Sequence, residues 1–287
     1  MFENIFKGFS FIKESFRLIS KDSDLIKPSI YSIFFGIFFT VIAGITLFIS
    51  NLMSTEIFYI IAFLVLIIDY YISYFFTGMT AFLVYDYFKD GDATMSEAWA
   101  ATKKNALTIF YLSIISALVK IITGVLRDRS NKNRNIGGGF ASMILGFIER
   151  VWTVATYFII PAIVIEDRDM KGAIARATDI IKKNLLPIGI GEMAVGLVTG
   201  ILSFIGFIVA IGIGIALFGV MGSAAAGILV AILVVAILFI LIIALSMYIT
   251  TAYHTCLFLW ARNVEDAGTG ASGTVKPPAP IANALGV

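Results

Sequence analysis

MAVGLVTGILSFIGFIVAIGIGIALFGVMGSAAAGILVAILVVAILFILIIALSMYITTAYHTCLFLWA, residues 193–261, runs for 69 residues without an aspartate, glutamate, lysine or arginine. A helix crosses a bilayer with about 20 apolar residues, so this stretch alone holds at least two crossings. The small-residue turn Gly219-Val220-Met221-Gly222-Ser223 divides it into helices over roughly 188–218 and 225–260. The chain is therefore an integral membrane protein of the all-α class. Its bulk composition agrees: of 287 residues, 59% are hydrophobic and 14% charged. Ordinary soluble domains carry about 25% charged residues.

Working toward the N-terminus, four more apolar segments cover roughly 30–50, 57–88, 106–126 and 140–165. The second is long for one bilayer thickness and carries Asp69 near its middle, beside Tyr70, Tyr71 and Tyr74. The third carries Lys120. The fourth is interrupted by Glu149-Arg150 and bends or ends near Pro161. Between them, 127–135 reads as a polar turn and Gly137-Gly138-Gly139 as a flexible joint. The expected fold has about six hydrophobic helices plus amphipathic interfacial helices, the third and fourth either both crossing or forming a re-entrant hairpin.

The connectors 89–105 and 166–184 read as short surface helices. Thr94 and Glu97 have the spacing of a capping box, and Asp169 stands where the second helix needs an N-cap. Lys103-Lys104-Asn105-Ala106-Leu107 is echoed by Lys182-Lys183-Asn184-Leu185-Leu186, which suggests a duplicated unit of membrane helix, surface helix and membrane helix. Residues 1–27 form an amphipathic N-terminal segment with Phe2, Ile5, Phe6, Phe9, Ile12, Phe16 and Ile19 at helical spacing. It either lies in the membrane interface or packs on the protein's own loops. The membrane domain occupies 28–262. Residues 263–287 form a tail rich in Gly, Ala and Pro.

Basic residues set the expected orientation. They gather before the first helix, in both surface helices and after residue 261, and are missing from loops 51–56 and 219–223. The positive-inside rule then puts both termini and both surface helices in the cytoplasm. The four basic residues of 127–135 point to a hairpin that dips in and returns, whereas the helix lengths point to six crossings.

A net charge of +2 gives no reason to expect nucleic acid as a partner. One cysteine and one histidine exclude intramolecular disulfides, cysteine clusters and multi-histidine zinc sites. The first 27 residues lack the continuous apolar core of a cleavable signal peptide. There is no phosphate loop, paired-histidine motif or activated nucleophile, so no enzyme and no cofactor is expected. What remains are polar groups at membrane depth: Asp69, Lys120, Glu149, Arg150, Glu192 and His254. Such groups mark solute paths or pair with one another to fix packing. Asp69 stands out in an otherwise uncharged stretch, with Lys120 or Arg150 as its structural partner on the second reading. Gly196 and Gly200 have the small-xxx-small spacing of a helix contact.

The stretch Arg150-Val151-Trp152-Thr153-Val154-Ala155-Thr156-Tyr157-Phe158-Ile159-Ile160-Pro161, followed by Ile165-Glu166 and Ala173-Ile174-Ala175-Arg176-Ala177, resembles an uncharacterised family of prokaryotic multi-pass membrane proteins known as a domain of unknown function. The resemblance covers 9–260. It departs from the family pattern at Ala177-Thr178 and Asn184-Leu185. The layout is more loosely similar to membrane domains found with glycerophosphodiesterases and, more distantly, to sulfate permeases. These likenesses imply a place in the cell membrane and transfer no functional residue. The expected function is a small-solute or ion channel or transporter, with an oligomeric form left open. The alternative is a non-catalytic membrane scaffold or subunit. Expected partners are membrane lipids and either a second copy or another membrane protein.

Overall fold

The computed structural model describes residues 2–50, 52, 56–132, 136–183, 185–221 and 225–267, with side chains described over 10–50, 52, 56–130, 139–183, 195–220 and 227–267. Within these residues the chain is α-helical without a strand. The helices are α1 (Phe2–Lys21), α2 (Lys27–Ile49), α3 (Ile57–Asp90), α4 (Met95–Lys104), α5 (Ala106–Lys132), α6 (Ile136–Val164), α7 (Met170–Lys183), α8 (Leu185–Met221) and α9 (Ala225–Asp266). A 3-10 turn, Ser23–Leu25, joins α1 to α2. Six helices (α2, α3, α5, α6, α8 and α9) are long and apolar enough to cross a membrane.

Several boundaries differ from the sequence expectation. Residues 127–132 continue α5 instead of turning, because Arg127 has an ionic partner on α6 that rewards another turn of helix. Gly137-Gly138-Gly139 open α6 rather than forming a joint, and α6 runs unbroken through Glu149-Arg150. As expected, α6 ends near Pro161: it stops at Val164, within a turn of the proline. The ring has no N–H to donate back along the helix, and few residues follow it. Gly219, Val220 and Met221 belong to α8, and α9 extends to Asp266. Residues 222–224 of the expected turn and 268–287 of the expected tail lie outside the described residues.

The chain forms two compact units. One comprises Met1–Ile33, Leu83–Ala93 and Asn184–Val287. Its frame is the α8–α9 pair, where Phe207 packs edge-on against Phe239 at 4.7 Å and the Ser203 and Ser246 hydroxyls bond at 2.7 Å. The close-approach glycines are Gly206, facing Ile242, and Gly214, where an added Cβ would sit 2.5 Å from Val235. Gly196 and Gly200, expected in that role, have no described atom within 4 Å of a built Cβ. Small-xxx-small spacing permits a close contact, and the crossing point of the two helices decides which glycines use it. α1 packs on α8 and α9. Its Phe11 and Ile12 are buried, and Phe11 meets the Tyr253 ring at 5.2 Å and 83°.

The other unit comprises Phe34–Phe82 and Thr94–Lys183. α5 and α6 form an antiparallel hairpin, with α7 against α6 and α4 against α5. Gly78 of α3 lets Thr102 of α4 and Ile160 and Val164 of α6 approach a Cβ position at 3.3, 3.7 and 3.2 Å. Trp99 of α4 packs edge-on against Phe75 at 5.1 Å. These contacts tie the surface helix α4 to the spanning helix α3.

Candidate functional site

Ser113, Ser116, Lys120, Thr123 and Arg127 recur on α5 at spacings of three and four, so they share one face. That face forms the polar seam of the second unit. Ser113 and Thr123 donate to their own helix carbonyls, Ile109 O and Val119 O, each at 2.8 Å. Ser116 is buried and reaches across helices. Its Oγ accepts from the Tyr74 hydroxyl of α3 at 2.9 Å and from the Trp152 indole N–H of α6 at 2.9 Å. Farther along, Glu149 of α6 accepts from both Lys120 and Arg127. One carboxylate thus bridges two cations spaced two turns apart.

Lys120 and Glu149 are therefore brought together, and Arg127 completes their clasp. Glu149 and Arg150, as neighbours about 100° apart on a helix, do not pair. Arg150 is exposed. Asp69 pairs with neither Lys120 nor Arg150. Its two carboxylate oxygens instead accept from the Thr40 hydroxyl of α2, each at 3.1 Å. Asp69 has no basic group within ion-pair distance among the described residues. Glu192 falls in α8, and its side chain lies outside the described residues. His254 is buried in α9, where Nδ1 meets Thr250 O at 2.7 Å and the ring lies edge-on to Tyr253 at 5.3 Å. Cys256 is a buried free thiol.

The α6–α7 connection carries the ionic groups nearest the surface helices. Glu166 pairs with Arg168 and Arg176, and the Glu166 and Arg176 side chains are only 11% and 14% exposed. Asp167 adopts a left-handed φ of 52°. That turn directs its carboxylate to Lys104 and Asn105 at the end of α4. The Lys104 ammonium first, and the Asn105 amide second, hold the Asp167 carboxyl below the usual aspartate range. Asp169 caps α7 as expected, accepting the Gly172 N–H at 3.0 Å. Thr94 stands at the α4 N-cap, but its hydroxyl donates to Glu97 at 2.7 Å instead of capping a backbone N–H. An ionised carboxylate is a strong acceptor for the hydroxyl proton.

Sequence reasoning missed Arg127, Ser116, Trp152 and Thr40. The polar stripe of α5 was the available signal for the first two. No pattern within α2 marks Thr40, which matters only through its neighbour on α3.

Residues 56–270 match the model of a family of unknown function, DUF6159. The chain belongs to that family. The match opens at α3, so the seam of Tyr74, Ser116, Trp152, Lys120, Arg127 and Glu149 lies wholly within the DUF6159 region, as does Asp69. α1, α2 and Thr40 precede it. The Glu166–Arg176 ion pair joins two residues of the stretches that carried the sequence resemblance. Among curated proteins none matches the chain. No group of three His, Cys, Asp or Glu side chains that could hold a metal ion occurs among the described residues.

Proposed function

We propose that this DUF6159 protein is a small-solute or ion channel or transporter, with Asp69 at its path. The supporting observation is a carboxylate far along a spanning helix whose hydrogen-bond partner is one neutral hydroxyl. A group that only fixes the packing of one chain is ordinarily paired with a base of that same chain, and an intramembrane carboxylate without such a base marks a path for solute or protons, whether or not a second chain completes the site. Flux of ions and small solutes into proteoliposomes tests this directly. Wild-type protein is expected to conduct, and Asp69→Asn to lose most of the flux while keeping its helicity. A wild-type protein that moves nothing under any gradient removes the reading.

The alternative, a membrane scaffold that binds lipid or a partner, draws support from α4 and α7. Both are surface helices that end in paired lysines, and Trp99 is exposed on α4. The looser likeness to glycerophosphodiesterase membrane domains adds no chemistry to either reading.

Six full crossings, a cell-membrane location and cytoplasmic termini fit these helices. α5 and α6, at 27 and 29 residues, are each about 40 Å long and outreach a hydrocarbon core of about 30 Å. A cysteine introduced as Ser130→Cys is expected to react with an impermeant reagent added to intact cells. Labelling only after lysis favours the re-entrant hairpin.

A further inference from the structure

The ionic groups on the spanning helices of the second unit do not cancel within one chain. Lys120, Arg127 and Glu149 satisfy one another. Asp128 and Arg129 sit in the last turns of α5, and away from a helix end Asp69 on α3 and Arg150 on α6 are left over, with opposite signs and no ionic partner among the described residues.

Two contacts bracket their depth. Tyr74, five residues past Asp69, and Trp152, two past Arg150, both donate to Ser116 Oγ. Gly78 meets Val164 at 3.2 Å and Ile160 at 3.7 Å across α3 and α6. By helical rise the first contact puts Arg150 about 5 Å to one side of Asp69 in depth, and the second about 2 to 8 Å to the other. Both helices run in the same direction here, since the contacts advance together from Tyr74 to Gly78 on α3 and from Trp152 to Ile160 on α6. Tyr74 of α3 and Glu149 of α6 bond to α5. Arg150 is about 100° round α6 from Glu149, and Asp69 faces Thr40 of α2, so neither points into the α5 contact. Arg150 lies on an exposed apolar face with Phe147 and Val151, while Leu64 and Ile68 near Asp69 are likewise exposed.

We propose that Asp69 of one copy pairs with Arg150 of a second copy in a parallel two-fold dimer, so that the Asp69 site is completed by a residue from the partner. Equal depth is what an axis along the membrane normal requires, and a two-fold interface uses each pair twice. In hydrocarbon neither charge is cheap alone, and mutual pairing offsets both. The pairing deepens the transport reading, on which its functional meaning rests: the path would run at the interface between copies.

The test uses full-length protein in liposomes, labelled through Asp92→Cys because Cys256 is buried, with association read by energy transfer over a dilution series. Asp69→Arg alone and Arg150→Asp alone are each expected to weaken self-association at least tenfold. Mixing the two variants restores it to within about threefold of wild type, because each then meets its opposite charge twice. Asp69→Asn and Arg150→Gln remove the charge but keep a polar side chain, and are expected to weaken association while retaining helicity. Association unchanged in these neutral variants, a wild type that stays monomeric, or a mixture no better than its parts when both are folded overturns the proposal. Flux measured on the same liposomes separates the two readings. Rescued association without flux keeps the dimer and removes transport. Flux from monomeric single variants removes the dimer as the site.

Discussion

Glu149→Ala is expected to be the most damaging single substitution in the spanning helices. Lys120 and Arg127 share this one carboxylate, so its loss leaves two cations on one face of α5 with no acid. Removing one partner of a fully buried ion pair costs about 3–5 kcal/mol. Here the Lys120 and Arg127 side chains are 52% and 33% exposed, so once released each long cation can snorkel toward the headgroups. The expectation is therefore about 2–3 kcal/mol. The converse change, Lys120→Met, leaves Glu149 still held by Arg127 and is expected to cost at most about 1 kcal/mol. Unfolding by denaturing detergent in mixed micelles measures both. Equal losses for the two variants would mean that the clasp is not shared as the geometry implies.

Ser116→Ala is expected to cost about 2 kcal/mol, more than an ordinary hydrogen-bonding serine. The deleted hydroxyl accepts two donors, so the Tyr74 O–H and the Trp152 N–H lose their acceptor together. Each orphaned donor in a soluble core costs about 1–3 kcal/mol, but cross-helix bonds in membranes average nearer 0.6 kcal/mol. Trp152 also reports locally, since its emission shifts when the indole loses its acceptor. In a Trp152→Phe background, Ser116→Ala is expected to lose about half its effect, because only Tyr74 is then left waiting. A full effect in that background would show that the serine acts through packing instead.

The apolar architecture was legible because it rests on one-dimensional facts. Uncharged length identified α8 and α9, and basic residues at 103–104 and 182–183 marked the ends of the surface helices. Asp169 was legible as a cap for the same reason, since its partner lies three residues away. What failed were pairings between distant segments. Arg127 looked like part of a polar turn until Glu149, 22 residues on, gave it a reason to stay helical. For Asp69 the sequence offered a partner, Lys120 or Arg150, on one of two readings, because it shows only candidate charges, whereas Thr40 faces it in space. Gly196 and Gly200 matched a contact spacing, yet Gly206 and Gly214 sit where α8 meets α9. Spacing shows which residues share a face; it does not show what that face meets.

During synthesis α5 leaves the ribosome before its acid exists. Lys120 and Arg127 would then have to enter hydrocarbon uncompensated, and a cation at the centre of an inserting helix costs about 2.5–3.5 kcal/mol. Glu149 emerges only with the first half of α6. The shared carboxylate therefore favours inserting α5 and α6 together, as two arms that neutralise each other, over inserting α5 alone.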